Sequence, residues 1–402
     1  MTTLYLIRHA EAEGNVYRRC HGQYDSLLTH RAPAQLACVA GRFDGVPLAA
    51  VYASDLYRAR HTAKAIADRK GMRVRIDPTL REINMGEWED ATWALLPRIA
   101  PARYSEWQNH PARCVVPGGE SVIGAGERVF AGLQRLAAKH DGEEIAVVSH
   151  GSAIRGCLCI ALGLAPDQIG EIGWGDNTCV AKLEFTGGAC RPVYWNDASH
   201  LPEELSTFAS IGWKNVKGEP STAQLWFRGY DPEKEEGMFL DYMRELYRNA
   251  YGTLERFDGE KLASQAAACV REDPCAVTFG MLGETPAALV YLNVLEDTYP
   301  GCGMVGGLCI APDWRGAGLS QQILGQAISV YRARGMEYLC ARVAEHNERA
   351  KGFYHKFAFE NRGPVENECG KHFLMAKPIK VASLEEERAL FDMAAPFAGG
   401  VD

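Results

Sequence analysis

Three apolar runs in the first half of this 402-residue chain end in residues suited to handling a phosphoryl group. Residues 4–7 lead into Arg8 and His9. Residues 49–54 are followed by Asp55, Leu56, Tyr57 and Arg58, and residues 145–149 by His150 and Gly151. In α/β folds ligands bind beyond the carboxyl ends of strands, so Arg8, His9, Arg58 and His150 are expected at one edge. The planar fork of arginine matches phosphate oxygens. A neutral imidazole is a competent nucleophile at phosphorus, and a phosphohistidine divides hydrolysis into two easier steps. Surrounding cations disfavour imidazolium and keep a lone pair available near neutral pH. The leaving oxygen then needs a proton. Glu82, within the segment TLREINMGEW at 79–88, is the candidate. A phosphate dianion beside it is expected to raise its pKa and favour the acid form. Charge stabilisation and positioning carry most of the acceleration in such a transfer.

A second constellation lies at 304–324, MVGGLCIAPDWRGAGLSQQIL. A strand is expected to run into Pro312. A turn follows at Arg315, Gly316, Ala317, Gly318, Leu319 and Ser320, then a helix with Leu319, Ile323, Ala327 and Tyr331 on one face. Small residues let backbone N–H groups approach an anion, and the helix N-terminus adds partial positive charge. The turn therefore suits a pyrophosphate. Downstream, 346–359 reads HNERAKGFYHKFAF after another strand-like run.

The elements that must position these residues are legible in outline. Residues 1–200 alternate apolar runs with helical segments, the pattern of a largely parallel sheet covered by helices. Ser54 is placed to cap a helix over about 55–70, stopped by Gly71, and a further helix spans about 152–162. Residues 84–120, with Trp88, Trp93, Tyr104, Trp107 and four prolines, read as an insertion, either a packed subdomain or a substrate-selecting lid. Residues 201–223 read as a linker. A second domain spans 224–378, with a strand near its start, a helix over 235–251, a hairpin at 276–294 and strands at 304–310 and 337–343. The tail, 379–402, carries a capping-box pattern from Ser383 to Glu386 before Leu390, Phe391 and Met393. It reads as a short helix that docks back on the protein or on a second subunit, which would make a homo-oligomer.

Composition narrows the class. The length exceeds one ordinary core, and 47% hydrophobic with 23% charged residues is the balance of a soluble globular protein. No apolar run approaches the ~20 residues that span a bilayer, so no membrane partner is expected. The first residues enter a strand without a signal-peptide layout, which points to the cytoplasm. Thirteen cysteines, an odd number with no Cys-x-x-Cys pair, suit a reducing cytosol and give no support to a structural zinc site. A net charge of −8 argues against bulk nucleic-acid binding.

Arg8-His9-Ala10-Glu11 with Asn15, the run from Ser54 through Arg58 to Thr62, Leu80-Arg81-Glu82 with Gly86-Glu87-Trp88-Glu89, and Ser149-His150-Gly151 together resemble the histidine phosphatase, phosphoglycerate mutase-like superfamily over the first 200 residues. The resemblance implies a three-layer α/β/α fold, with His9 as nucleophile and Arg8, Arg58 and His150 completing the phosphate pocket. It implies Glu82 as acid and base, and Asn15 on the phosphate side. Ala10 and Ala32 stand where glycine is usual and Leu27 where proline is usual, so loop shape and substrate choice differ from the common pattern. Residues 224–378 resemble the GNAT-type N-acetyltransferases, through the glycine-containing turn after a strand and the segment with Asn347 and Tyr354. That implies an α+β fold with a mixed, mostly antiparallel sheet. It also implies acetyl-CoA as co-substrate, held by 315–320 at its pyrophosphate and by Leu308, Cys309 and Ile310 along its pantetheine arm. Asn347 would contact the cofactor and Tyr354 would protonate the leaving thiolate. Ser320 stands where glycine or alanine is usual and Ala358 where glycine is usual; both substitutes are small. Glu296, Asp297, Glu345 and Glu366 are all open as general base.

The combined expectation is a cytoplasmic bifunctional enzyme without a metal. One half hydrolyses a small phosphomonoester through phospho-His9, and the other acetylates a small-molecule or peptide amine. The alternatives are a phosphoglycerate-type mutase, or a phosphatase regulated by a non-catalytic acyl-CoA-sensing domain.

Overall fold

β-branched and aromatic runs fit a pleated, buried surface, and the chain uses them as fourteen strands in a computed structural model that describes residues 1–210 and 223–393. The first half carries β1 (Thr2–Arg8), β2 (Leu48–Ala53), β3 (Val74–Ile76), β4 (Glu144–Ser149), β5 (Val180–Thr186) and β6 (Ala189–Asp197). The second carries β7 (Trp226–Gly229), β8 (Val277–Leu282), β9 (Thr285–Asn293), β10 (Cys302–Ile310), β11 (Tyr338–Ala344), β12 (Glu360–Asn367) and β13 (Gly370–Pro378); the tail supplies β14 (Phe391–Met393). They form two seven-stranded sheets, ordered β14-β3-β2-β4-β1-β5-β6 and β12-β13-β11-β10-β9-β8-β7.

In the first sheet β14, β3, β2, β4 and β1 are parallel, β5 is antiparallel to β1, and β6 is antiparallel to β5. Alternate side chains face opposite layers. Leu4 and Leu6 join Val129, Leu133 and Cys157 from helices Val122–Lys139 and Gly151–Ala161. Ile7, Val51 and Ala53 join Ala59, Ala63 and Ile66 from helix Tyr57–Arg69 on the other face. The expected three layers result. Helix Tyr57–Arg69 is not capped by Ser54. Its first N–H, on Tyr57, is taken by the Asp25 carboxylate at 2.9 and 3.0 Å, a cap brought from 32 residues away. The aromatic insertion is packed: Trp88 lies against Tyr104 and Trp107, Trp107 stacks on Trp93, and all join the core cluster.

The second sheet is antiparallel except for β10 with β11. Helices Ser320–Ala333 and Glu348–Lys356 contribute to the cluster on one face, and helices Pro232–Tyr251 and Gly259–Glu272 to that on the other. Helix Gly259–Glu272 is weakly marked in sequence because its buried residues, Ala263, Ala266 and Cys269, are small. The β10–β11 register runs from Cys302–Tyr338 to Val305–Ala341, after which the two strands no longer pair with each other and continue to Ile310 against β9 and to Ala344 against β13.

The halves are interlocked. Most of the expected linker, residues 211–222, and residues 394–402 of the tail lie outside the described residues. Within them, helix Glu13–Tyr17 lies on helix Ser320–Ala333, and Val16 and Tyr17 share a cluster with Leu319, Ile323 and Leu324. Buried Glu13 pairs with Arg332 at 2.9 Å, and Arg19 donates to Gln326 at 3.0 Å, Ser329 at 2.9 Å and Asp90 at 2.6 Å. The tail returns to the first sheet, where β14 pairs with β3 and Glu387 receives Arg60 at 2.9 Å and His61 at 3.0 Å. The expected short helix does not form. Its capping box does, with the Ser383 N–H on Glu386 at 2.7 Å and the Glu386 N–H on the Ser383 hydroxyl at 3.2 Å. The chain then makes a single 3-10 turn, Arg388–Leu390, and becomes a strand, because a few residues cannot repay helix nucleation while the β3 edge and a buried seat for Phe391 are available.

Gly325 permits the close contact of the halves, since a Cβ there would sit 2.5 Å from Cβ of Tyr17. Gly325→Ala gains about 1 kcal/mol of helix propensity. It also forces two packed elements apart, at a cost of about 1–3 kcal/mol. Overpacking is expected to win and lower the denaturant midpoint of the full chain. A raised midpoint would show that the two helices do not meet this closely.

Candidate active sites

The first site follows from strand register. Arg8 on β1 is opposite Ser149 on β4, so His9 and His150 leave adjacent strand ends together, with ring centroids 5.1 Å apart. Helix Tyr57–Arg69, after β2, brings Arg58, and the segment after β3 brings Glu82. The structure thus gathers all five residues singled out in sequence, and His9, Arg58, His150 and Glu82 are each less than a tenth exposed. His9 Nδ1 lies 2.7 Å from the Ala10 carbonyl and must donate to it, which leaves Nε2 as the nitrogen with a lone pair. Both ring nitrogens of His150 are buried without a partner among the described residues. Arg58 donates to the carbonyls of Gly22 at 2.6 Å and Tyr24 at 3.1 Å; Arg8 donates to that of Gly175 at 2.6 Å and lies over the Phe208 ring.

Burial, then the charges of Arg58 and Arg8, holds His9 well below the ordinary imidazole range. Burial, Arg58 and His9 do the same to His150. Two neutral imidazoles beside two guanidiniums form a site with net positive charge and an available nitrogen nucleophile, the complement of a phosphate dianion. The Glu82 carboxylate accepts N–H groups of Ile83 at 2.9 Å, Ala153 at 2.8 Å and Ser152 at 3.1 Å. The last two belong to the first turn of helix Gly151–Ala161, which fixes the carboxyl beside His150.

Several contributors escaped the motif reading. Asn177, fully buried in the loop before β5, donates to the His9 carbonyl at 2.9 Å and to Asn15 Oδ1 at 3.3 Å. Asn15 is therefore one step removed from His9. Glu89 accepts four backbone N–H groups, from Gly22 (3.1 Å), Gln23 (2.7 Å), Tyr24 (2.8 Å) and Met85 (2.9 Å). It sets the loop whose carbonyls orient Arg58. The Glu89 position was visible in its motif, but its role was not. Asn177 sits in a polar run, GDNT, without a distinctive spacing.

At the second site Leu308, Cys309 and Ile310 end β10 beside the gap left by β11. The turn after them needs glycine: Gly316 and Gly318 have φ of 83° and 74°. Leu319 is buried as the anchor of the turn, and Ser320 opens helix Ser320–Ala333. This cradle fits a pyrophosphate with a pantetheine arm along the diverging strands. The Arg315 side chain is engaged elsewhere, donating to Glu245 at 2.7 Å and the Ile310 carbonyl at 3.2 Å. Asn347 caps helix Glu348–Lys356 by accepting the Ala350 N–H at 3.0 Å. Tyr354 is buried between Phe353 and Phe359, and burial pushes its hydroxyl pKa up. Ala358 holds φ of 60°, a left-handed conformation that explains why glycine is usual there.

Comparison with known proteins finds two families along the chain. The model of the histidine phosphatase superfamily (branch 1) matches residues 4–198, and that of the acetyltransferase (GNAT) family matches residues 240–359. A "Probable phosphoglycerate mutase GpmB" of Serratia proteamaculans is 36% identical over 168 residues, 41% of this chain and 76% of that protein. The Escherichia fergusonii protein of the same name is 35% identical over 212 residues, 50% of this chain and 95% of its own length. Among solved structures, Bacillus stearothermophilus YhfR is 29% identical, with a TM-score of 0.48 over 50% of this chain and 99% of that one.

The depressed imidazoles make a stability prediction. Above pH 6.5 both histidines are neutral folded or unfolded. Below it the unfolded chain takes up protons that the folded site refuses, so stability falls with pH. Each histidine contributes about 1.4 kcal/mol per pH unit, about 2.7 for the pair, until the folded pKa is reached. Denaturant unfolding of wild type is therefore expected to lose stability more steeply below pH 6.5 than that of His9→Gln/His150→Gln. Parallel profiles would contradict a neutral buried pair.

Proposed function

The chain belongs to the histidine phosphatase superfamily over residues 4–198 and to the GNAT acetyltransferase family over residues 240–359, and from that premise we propose that its first half hydrolyses a small phosphomonoester through a phosphohistidine on His9. The observation that carries the proposal is the His9 ring itself. Its Nδ1–H is committed to the Ala10 carbonyl, which leaves Nε2 free, and its surroundings keep it neutral. Nε2 attacks phosphorus as the ester P–O bond breaks, and Glu82 gives its proton to the leaving oxygen. Arg8, Arg58 and His150 hold the phosphoryl oxygens, with Asn15 setting the nearby loop through Asn177. Glu82 then takes a proton from water, whose oxygen displaces His9 from phosphorus.

The second half acetylates an amine. Residues 315–320 receive the pyrophosphate of acetyl-CoA on backbone N–H groups, and Leu308, Cys309 and Ile310 line its arm. Asn347 shapes the cofactor side as a helix cap, and Tyr354 supplies the proton for the leaving thiolate. The thirteen cysteines are free thiols, which supports a cytoplasmic location. No helix among the described residues is long and apolar enough to cross a membrane.

Two other readings each have an observation in their favour. The 36% identical Serratia proteamaculans protein, a probable phosphoglycerate mutase, favours a mutase. The packing of helix Ser320–Ala333 on helix Glu13–Tyr17, close after His9, favours a phosphatase tuned by acyl-CoA. Conversion between phosphoglycerate isomers without phosphate release would select the first. Acetyl-CoA binding without thiol release across an amine panel would select the second.

In a panel of small phosphomonoesters, His9→Ala is expected to abolish phosphate release, and Glu82→Gln to lower kcat by about 100-fold to 10,000-fold. Undiminished release in His9→Ala would overturn the proposal.

A further inference from the structure

The second half holds a tyrosine–histidine hydrogen bond beside its sheet. Tyr251, the last residue of helix Pro232–Tyr251, places its hydroxyl 3.0 Å from Nε2 of His372. Nδ1 of His372 lies 2.8 Å from the Gly370 carbonyl and must donate to it. Nε2 is therefore the lone-pair nitrogen, and it accepts from the Tyr251 hydroxyl. His372 is 1% exposed, whereas Tyr251 is half-buried.

The pair lies beside the gap that opens between β10 and β11. His372 on β13 is opposite Ala344, the last residue of β11, and so stands at the end of the gap between β10 and β11. Its neighbours Phe373 and Met375 face the layer containing helix Ser320–Ala333; His372 alternates to the other side. Helix Pro232–Tyr251 covers that side. Its Met243 and Leu246 close on Gly307 of β10, and its Glu245 holds Arg315 of the pyrophosphate turn. One rim of the gap thus carries the cofactor turn and the other carries Tyr251. The carboxylates considered from sequence are poorly suited to the task. Glu296 is held by both terminal nitrogens of Arg342, one at 2.9 Å, and Arg342 keeps its carboxyl below the usual range. Asp297, Glu345 and Glu366 are exposed.

We propose that Tyr251, backed by His372, accepts the proton of the attacking amine in acetyl transfer; this rests on the acetyltransferase reading above. As the amine nitrogen bonds to the acetyl carbon and the C–S bond breaks, its proton passes to the Tyr251 oxygen. The Tyr251 proton passes to His372 Nε2, and the imidazolium is held by the Gly370 carbonyl. The thiolate takes its proton from Tyr354, the relay releases the His372 proton through Tyr251 to water, and Tyr354 regains a proton from water as the free thiol leaves. Tyr251 is the catalytic group, and His372 acts through it. Tyr247 from the same helix, Cys369 from the β12–β13 turn, Arg256, His346 after β11 and Arg342 on β11 also face the pair. Burial, with Arg342 and His346, holds His372 below the ordinary imidazole range, so its accepting form prevails at neutral pH.

The test uses the full chain, an acceptor whose amine stays neutral across the pH range, and thiol release as readout. Tyr251→Phe and His372→Gln are expected to bind acetyl-CoA as wild type does by calorimetry, and to lose about 100-fold in kcat. His372→Gln keeps an acceptor for the Tyr251 hydroxyl but no base, so the acidic limb of the wild-type pH profile is expected to vanish. Nitrogen-15 NMR of the protein alone is expected to find His372 as the Nδ1–H tautomer. Wild-type turnover with an unchanged profile in both variants, or an Nε2–H tautomer, overturns the relay alone. No thiol release by wild type with any amine overturns the acetyltransferase reading and the relay with it.

Discussion

The parallel pairing of β1 with β4 is the constraint from which the first site follows. With Arg8 opposite Ser149, the next residue on each strand is a histidine, and two imidazoles meet at one edge. A slip of one residue would turn the alternation over and drive Leu4 and Leu6 out of their cluster. The buried faces of the sheet therefore enforce the register that brings the two histidines together. The same edge collects Arg58 from the helix after β2, and its two carbonyl acceptors hold the guanidinium beside His9 rather than in water. Burial then keeps both imidazoles neutral, so the packing that makes the site also sets its protonation.

The join between the halves is more than a tether. Glu13 and Arg332 are paired in a low-exposure contact, and Asp90 gathers Arg19, His21 and Ser329 beside it. Removing one partner of such a pair leaves a buried charge uncompensated, which costs about 3–5 kcal/mol. The contact is therefore intolerant of separation. It also lies between two functional segments. The loop from Arg18 to Asp25 supplies the acceptors of Arg58 on one side and meets helix Ser320–Ala333 on the other, and that helix begins at the glycine-containing turn. The return of β14 to β3 closes the chain on itself and gives the tail a place on its own first sheet.

Much of this was legible in sequence because the chemistry is local. Arg8-His9, Arg58, Glu82 and Ser149-His150 each end or follow an apolar run, and short motifs of this kind place residues at strand ends without knowledge of the fold. The glycine-containing turn at 315–320 was equally plain, since Gly316 and Gly318 mark a backbone only glycine adopts readily. What sequence left open depends on distant partners. Asp25 caps a helix that Ser54 appeared placed to cap; Asn177 reaches His9 from 168 residues away; Tyr251 meets His372 across 121. The tail shows the same limit in reverse. Its capping box forms as written, yet the free edge of β3 and the buried seat of Phe391 turn the following residues into a strand. Local propensity described the start of that segment, and tertiary pairing decided its end.

The account stands or falls on a covalent phosphoryl group on His9. The direct measurement is rapid quenching of the full chain with a turned-over phosphomonoester under alkaline conditions, where a phosphoramidate survives, followed by mass spectrometry of the peptide containing residues 4–18. The account predicts one acid-labile phosphoryl group, on His9 Nε2. Turnover without any label on that peptide, or a label on another residue, would contradict it.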